Sequence, residues 1–354
     1  MRKHCITRPK DVIPPSNSIL RGNMSDYSGL RHRINNGEVI ILDGAVGTQL
    51  QGLGSPIGAT AWAAVALHTH PETVRFMHET YIKDGVDIIT TNTFSSGRQC
   101  LEPLGIGDLT RELNLRAVVL AQEARDRTAK ERPVYIGGAV SHYGVLVGGE
   151  PLPEIFYRDW SNYTEEQCKA NIREQAEILV DSGVDFLITE ATGGTLQRKW
   201  IVEACLATGV PTWIGFKCRT DKSDGLLKTG YSSEDPFTDD LDEIIPLGGD
   251  LATVFHTSVD DTTRSIPILQ ENWSGPIGVY PDADRHDYVK KRQDDATLNH
   301  TSPDDFLKLA QGWVAQGAQV IGGCCGFGFD YIKPLREGLP SHIPTPGSRR
   351  ETDE

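Results

Sequence analysis

The chain has no apolar run approaching the roughly 20 residues that a membrane-spanning helix needs. Its first 20 residues, broken by Pro9, Pro14 and Pro15, lack the hydrophobic stretch of a secretory signal. A soluble, unexported, cytoplasmic protein is therefore expected, with no membrane partner. Basic residues are scarce: 35 Lys+Arg against 49 Asp+Glu leave a net charge of −14, and the longest basic cluster is Lys290-Lys291-Arg292. Gripping a phosphate backbone takes a basic stripe that displaces counterions, so no nucleic-acid partner is expected. Cysteines are few and odd in number, seven from Cys5 to Cys325. That argues against a disulfide framework and leaves the adjacent Cys324 and Cys325 as free thiols. No G-x-G-x-x-G follows the first predicted strand, and no phosphate loop occurs.

What is present is ordinary globular composition, 38% hydrophobic and 24% charged, over 354 residues. One pattern recurs: an amphipathic segment, a glycine, then a short apolar run, as in Asp84-Gly85-Val86-Asp87-Ile88-Ile89, Ser182-Gly183-Val184-Asp185-Phe186-Leu187 and Gln316-Gly317-Ala318-Gln319-Val320-Ile321. Each reads as a helix, a glycine cap and a buried strand. The template predicts eight strands: Val39–Asp43, Asp87–Thr91, Val134–Ala139, Asp185–Glu190, Thr212–Lys217, Leu251–His256, Pro276–Tyr280 and Gln319–Gly323. Helical segments lie between them, with start signals at Pro71, at Thr164 three residues before Gln167, and at Ser302 before Pro303. Eight strands alternating with helices suit an α/β fold of the (β/α)8 barrel type, with an open doubly wound sheet as competitor. The expected layout is a flexible extension over 1–30, the barrel over 31–339, and a flexible tail over 340–354.

In such a barrel the chemistry gathers where strands end. Those positions carry Asp43, Thr91 with Asn92, Ser141 with His142, Glu190, Lys217 with Cys218, His256, Tyr280 with Asp282, and Cys324 with Cys325. Two adjacent thiols in Gly322-Gly323-Cys324-Cys325-Gly326 can both reach one soft cation, and His256 or Cys218 can supply a third ligand. Lys217 raises a different option, a Schiff-base lyase with a lysine nucleophile.

Five motifs in order, Asp43-Gly44-Ala45-Val46-Gly47-Thr48, Thr90-Thr91-Asn92-Thr93-Phe94, Glu190-Ala191-Thr192, Val279-Tyr280-Pro281 and Gly322-Gly323-Cys324-Cys325-Gly326-Phe327, resemble the homocysteine S-methyltransferase family. The resemblance runs from about Glu38 to Leu339. It implies a zinc-dependent barrel that methylates a thiol, homocysteine becoming methionine, from a sulfonium such as S-methylmethionine or from betaine. It also implies zinc held by Cys324, Cys325 and a third cysteine of an Asn-Cys pair ending the sixth strand, where this chain has Phe255-His256. The metal set expected here is therefore His256, Cys324 and Cys325, one negative charge short of three thiolates. Two further departures are Tyr280-Pro281-Asp282-Ala283-Asp284, where many relatives read Tyr-Pro-Asn, and Ser141-His142-Tyr143-Gly144. Asp43 and Glu190 would bind the ammonium of an amino-acid acceptor, with Asn92 and Thr192 as further substrate contacts. Tyr143 and Tyr280, and beyond them Phe94, Trp62 and Phe327, offer aromatic walls to a cationic donor. A catalytically silent member that binds a methylated cation is the alternative suggested by the histidine, and the oligomeric state stays open.

Overall fold

The computed structural model describes residues 27–58, 60–143, 163–231, 233–283 and 301–344. At the three helix-to-strand junctions singled out by their glycines, Gly85, Gly183 and Gly317 take φ of +112°, +89° and +102°. These left-handed values stop each helix cheaply only at glycine. The Gly85 N–H, for example, closes helix Pro71–Asp84 onto the Tyr81 and Ile82 carbonyls. The other start signals act as read. Thr164 forms a reciprocal capping box with Gln167 on helix Glu165–Asp181, and Ser302 accepts the Asp305 N–H on helix Pro303–Ala315.

The strands are β1 Ile40–Ile41, β2 Ile88–Thr90, β3 Tyr135–Val140, β4 Phe186–Glu190, β5 Thr212–Phe216, β6 Cys218–Thr220, β7 Leu227–Thr229, β8 Leu251–Phe255, β9 Ile277–Tyr280 and β10 Ala318–Ile321. Eight of them form one parallel sheet in the order β1-β10-β9-β8-β5-β4-β3-β2. A parallel bridge from Leu42 to Ile88 and the Asp43 N–H to the Ile88 carbonyl (3.0 Å) join its two edges. The fold is thus the (β/α)8 barrel, not the open sheet. β6 and β7 are a separate antiparallel hairpin outside the ring, so the sixth, seventh and eighth barrel strands are β8, β9 and β10. No helix among the described residues is long and apolar enough to cross a membrane.

Two expectations change. The extension expected to be flexible over 1–30 ends in structure: helix Tyr27–Asn35 begins inside it, with Tyr27, Leu30 and Ile34 buried. Their apolar stripe closes the barrel end where the strands begin. There Tyr27, Leu30 and Ile34 join Phe186, Trp213, Leu251 and Val320 in the interior cluster, and the Trp213 Nε1–H donates to the Tyr27 hydroxyl at 2.9 Å. The tail expected from 340 starts docked, because the Val39 N–H bonds the Ser341 carbonyl (2.8 Å) and the Ile343 N–H bonds that of Gly37 (2.9 Å). Residues 1–26 and 345–354 lie outside the described residues, as do Gly144 and Asp284. A second, larger apolar layer packs the outer sheet face against the surrounding helices.

Candidate metal and substrate site

β8, β9 and β10 end side by side, and the residues just past them converge. His256 follows β8 in a left-handed conformation (φ +46°), unusual outside glycine though histidine tolerates it better than most. Both of its backbone groups are held: its N–H bonds the Tyr280 carbonyl at 3.2 Å, and its carbonyl accepts from Lys217 Nζ at 2.5 Å. Past β10 the chain passes so close to β1 that a side chain at Gly322 would meet Leu42 and the Asp43 carbonyl within 3 Å. The turn beyond is pinned by the Cys324 N–H to the Pro281 carbonyl (2.7 Å) and the Ala283 N–H to that of Cys325 (2.9 Å). The donor atoms of His256, Cys324 and Cys325 consequently all lie within 4.8 Å of one another. His256 Nδ1 stands 3.4 Å from Cys324 Sγ and 3.6 Å from an Asp282 carboxylate oxygen.

The charges in this mouth are unsettled. Cys325 beside it and burial together push the Cys324 thiol well up. Burial works against the His256 cation, but Cys324 and Asp282 outweigh it and raise the imidazole's pKa. Beside β10, at the end of β1, burial drives Asp43 well above the carboxylate range, against hydrogen bonds from the Thr90 N–H (2.7 Å) and hydroxyl (3.0 Å). Glu190 is pushed up to about 7 by burial, while His256 and Tyr280 pull it down. The Cys324 thiol, the His256 imidazole and two carboxyls thus meet at one end of the barrel, where burial penalises the charged form of each.

Of the residues anticipated from sequence, His256, Cys324 and Cys325 come together. Cys218 does not join that cluster: it opens β6, its thiol buried and pushed up to about 12. Lys217, expected to end a strand, lies one residue past β5. Its ammonium is buried, committed to the His256 carbonyl and 4.4 Å from the Tyr231 ring centroid, which gives it a holding role in place of a nucleophile's. Thr91 bonds Thr93 and closes a local turn, whereas the Asn92 amide donates to the distant Ala63 carbonyl (3.0 Å) and ties the end of β2 to the segment after β1. Thr192 is buried just past β4. The Tyr280 ring lies inside the barrel against Phe255 at 5.5 Å. The Tyr143 ring meets Phe94 at 5.0 Å, while its carbonyl accepts from Gln99 and Cys100. Phe327 is no donor wall: it is fully buried, stacked on Phe306 at 4.2 Å. Sequence reasoning missed Tyr231, whose hydroxyl meets His256 Nε2. The available signal was Asp224-Gly225, a turn dipeptide inside the long interval between the fifth and sixth barrel strands.

With this geometry in place, the comparisons with known proteins become specific. A selenocysteine methyltransferase of Astragalus bisulcatus is 27% identical over 328 residues, covering 86% of this chain and 94% of the relative. The homocysteine S-methyltransferase of Escherichia coli K12 is 26% identical over 322 residues, 85% and 96% of the two chains. Among solved structures, the metallated form of the Escherichia coli homocysteine methyltransferase MmuM superposes with a TM-score of 0.67 at 22% identity, over 87% of this chain and 99% of that one, and so supports the barrel. The family model for homocysteine S-methyltransferase matches residues 40–339. The chain belongs to the homocysteine S-methyltransferase family.

Proposed function

We propose that this protein moves a methyl group from a cationic donor, a sulfonium such as S-methylmethionine or else a betaine, to the sulfur of a small thiol, homocysteine giving methionine. Selenocysteine falls in the same acceptor class, since a relative carries that name. One observation carries the reading: His256, Cys324 and Cys325 present three soft donors within 4.8 Å at the mouth of the barrel that also holds Asp43 and Glu190. Two thiols and an imidazole suit zinc, whose tetrahedral ligands sit about 3.5 Å apart for a sulfur–nitrogen pair, and three protein ligands leave a fourth position open. The His256 Nδ1 to Cys324 Sγ separation of 3.4 Å fits that spacing. When bound, zinc supplies a lowered thiol pKa, from about 8.5, so that the acceptor is held as a thiolate at neutral pH.

The chain's own residues then bind and align. Asp43 and Glu190, buried carboxyls that cost free energy without a cation, take the ammonium of the amino-acid acceptor. Tyr143 and Tyr280 face the donor's positive charge. Displacement at a methyl carbon calls for little proton transfer, so orientation of acceptor against donor supplies much of the rate. The imidazole makes the centre one unit less negative than three thiolates, which holds the acceptor thiolate more firmly and lowers its nucleophilicity.

Elemental analysis of protein purified without chelator tests the reading, beside a methylation assay with homocysteine and each donor. About one zinc per chain, much less in His256→Ala, and methionine formed only by the former, are the expected results. A wild type that takes up no metal under reducing conditions overturns the metal. Full zinc and rate in His256→Ala removes the histidine from the site.

A further inference from the structure

A thiolate has no ring orientation or tautomer to set, but an imidazole ligand has both. We infer that Tyr231 is the positioning residue that fixes the His256 ring as a metal ligand through Nδ1, an inference that rests on the metal reading above. Nδ1 faces Cys324 Sγ at 3.4 Å, whereas Nε2 on the far side of the ring meets the Tyr231 hydroxyl. With the Nδ1 lone pair given to a metal, the proton sits on Nε2 and is donated to the Tyr231 oxygen. Histidine ligands ordinarily have their second nitrogen tied in this way, and the partner sets tautomer and ring angle. Nothing in the sequence motifs assigns this task to Tyr231.

Three further contacts make the hydroxyl a fixed point. The tyrosine and imidazole rings meet nearly edge-on, 82° apart with centroids at 5.6 Å. Lys217 joins both partners, its ammonium 4.4 Å from the Tyr231 ring centroid and bonded to the His256 carbonyl at 2.5 Å. Tyr231 follows directly on Gly230, which takes φ +62°, bonds the Lys217 carbonyl at 2.8 Å and passes so close to Gly193 that a Cβ would lie 2.4 Å from its carbonyl oxygen. The β6–β7 hairpin thus returns the chain to one defined place beside β8.

The experiment measures zinc affinity by chelator competition, on the full chain, for wild type, Tyr231→Phe, His256→Cys and the double variant. Tyr231→Phe is expected to lose about 10- to 100-fold in affinity. In the His256→Cys background, where the third ligand is a thiolate, removing the hydroxyl should change affinity by less than about twofold. Equal affinity in wild type and Tyr231→Phe overturns the inference, as does an equal loss in both backgrounds, which would mark a general packing effect. Should His256→Cys not fold, cobalt-loaded Tyr231→Phe decides. Thiolate-to-cobalt absorption retained with shifted ligand-field bands supports the role, and unchanged bands overturn it. A wild type with no zinc affinity is a separate outcome that defeats the metal reading itself.

Discussion

The two ends of the barrel interior are built from the same strands to opposite purposes. Where the strands begin, helix Tyr27–Asn35 covers an apolar plug in which the two polar atoms of Tyr27 and Trp213 satisfy each other. Where they end, Asp43, Glu190, His256, Cys324 and Cys325 are crowded together with the carboxyls held above their ordinary range by burial. The first end stabilises the fold, whereas the second gathers ionisable groups whose burial costs part of that stability. Variants at the two ends should therefore fail in different ways.

The largest expected effect is at the mouth. Cys325→Ala removes one of two thiols and should reduce both zinc content and methyl transfer to background while the melting temperature of the metal-free protein stays near wild type. A metal-free form that unfolds would break the comparison, since the pair would then be a structural element. At the plug the pattern reverses. Trp213→Ala empties a fully buried indole from between Phe186 and Tyr27 and should cost about 3–5 kcal/mol in urea unfolding. Zinc per folded chain should be unchanged, and a loss of metal without a loss of stability would show that the two ends are not separable.

Glu190 sharpens the contrast through pH. Its carboxyl rises from an ordinary 4.5 to about 7 in the fold, so the folded state holds the proton more tightly than the unfolded one. The wild type accordingly loses stability as pH climbs from about 4.5 through about 7, and above that the cost is fully present. Glu190→Gln removes the titration. In metal-free protein it should be more stable than wild type by about 3 kcal/mol at pH 8, with the gap closing toward pH 5. Denaturant melts at both pH values measure this, and an equal gap at both would mean that Glu190 is not the group responsible.

These same two ends explain what could be read from sequence. Gly85, Gly183 and Gly317 announced the helix-to-strand units because a left-handed residue is a local requirement, visible without neighbours. The thiol pair stood out because strand ends in a barrel converge by topology, whereas His256 was preferred to Cys218, which also lies at a strand end, only through the family resemblance. Helix Tyr27–Asn35 was not legible, because its YSGLRHRIN carries only Tyr27, Leu30 and Ile34 as an apolar stripe, and what it covers lies as far off as Trp213. Tyr231 was hidden for a related reason. Its contact with His256 depends on a hairpin whose return path is set by three-dimensional approach of Gly230 to Gly193, which no periodicity encodes.

The smallest expected effect lies at the Tyr27–Trp213 hydrogen bond within the plug. Tyr27→Phe keeps the ring, its packing on Phe186 at 5.6 Å and the helix stripe, and deletes the oxygen that accepts the Trp213 Nε1–H and also meets Arg31 at the edge. The indole N–H is then left buried without its acceptor, at a cost of about 1–2 kcal/mol, less than the loss from Trp213→Ala because no cavity opens. Adding Trp213→Phe to Tyr27→Phe removes the orphaned donor and should recover part of that loss, since two apolar partners need no hydrogen bond. Additive destabilisation in the double variant would show that the contact matters for shape alone, and would make the plug a packing device with an incidental hydrogen bond.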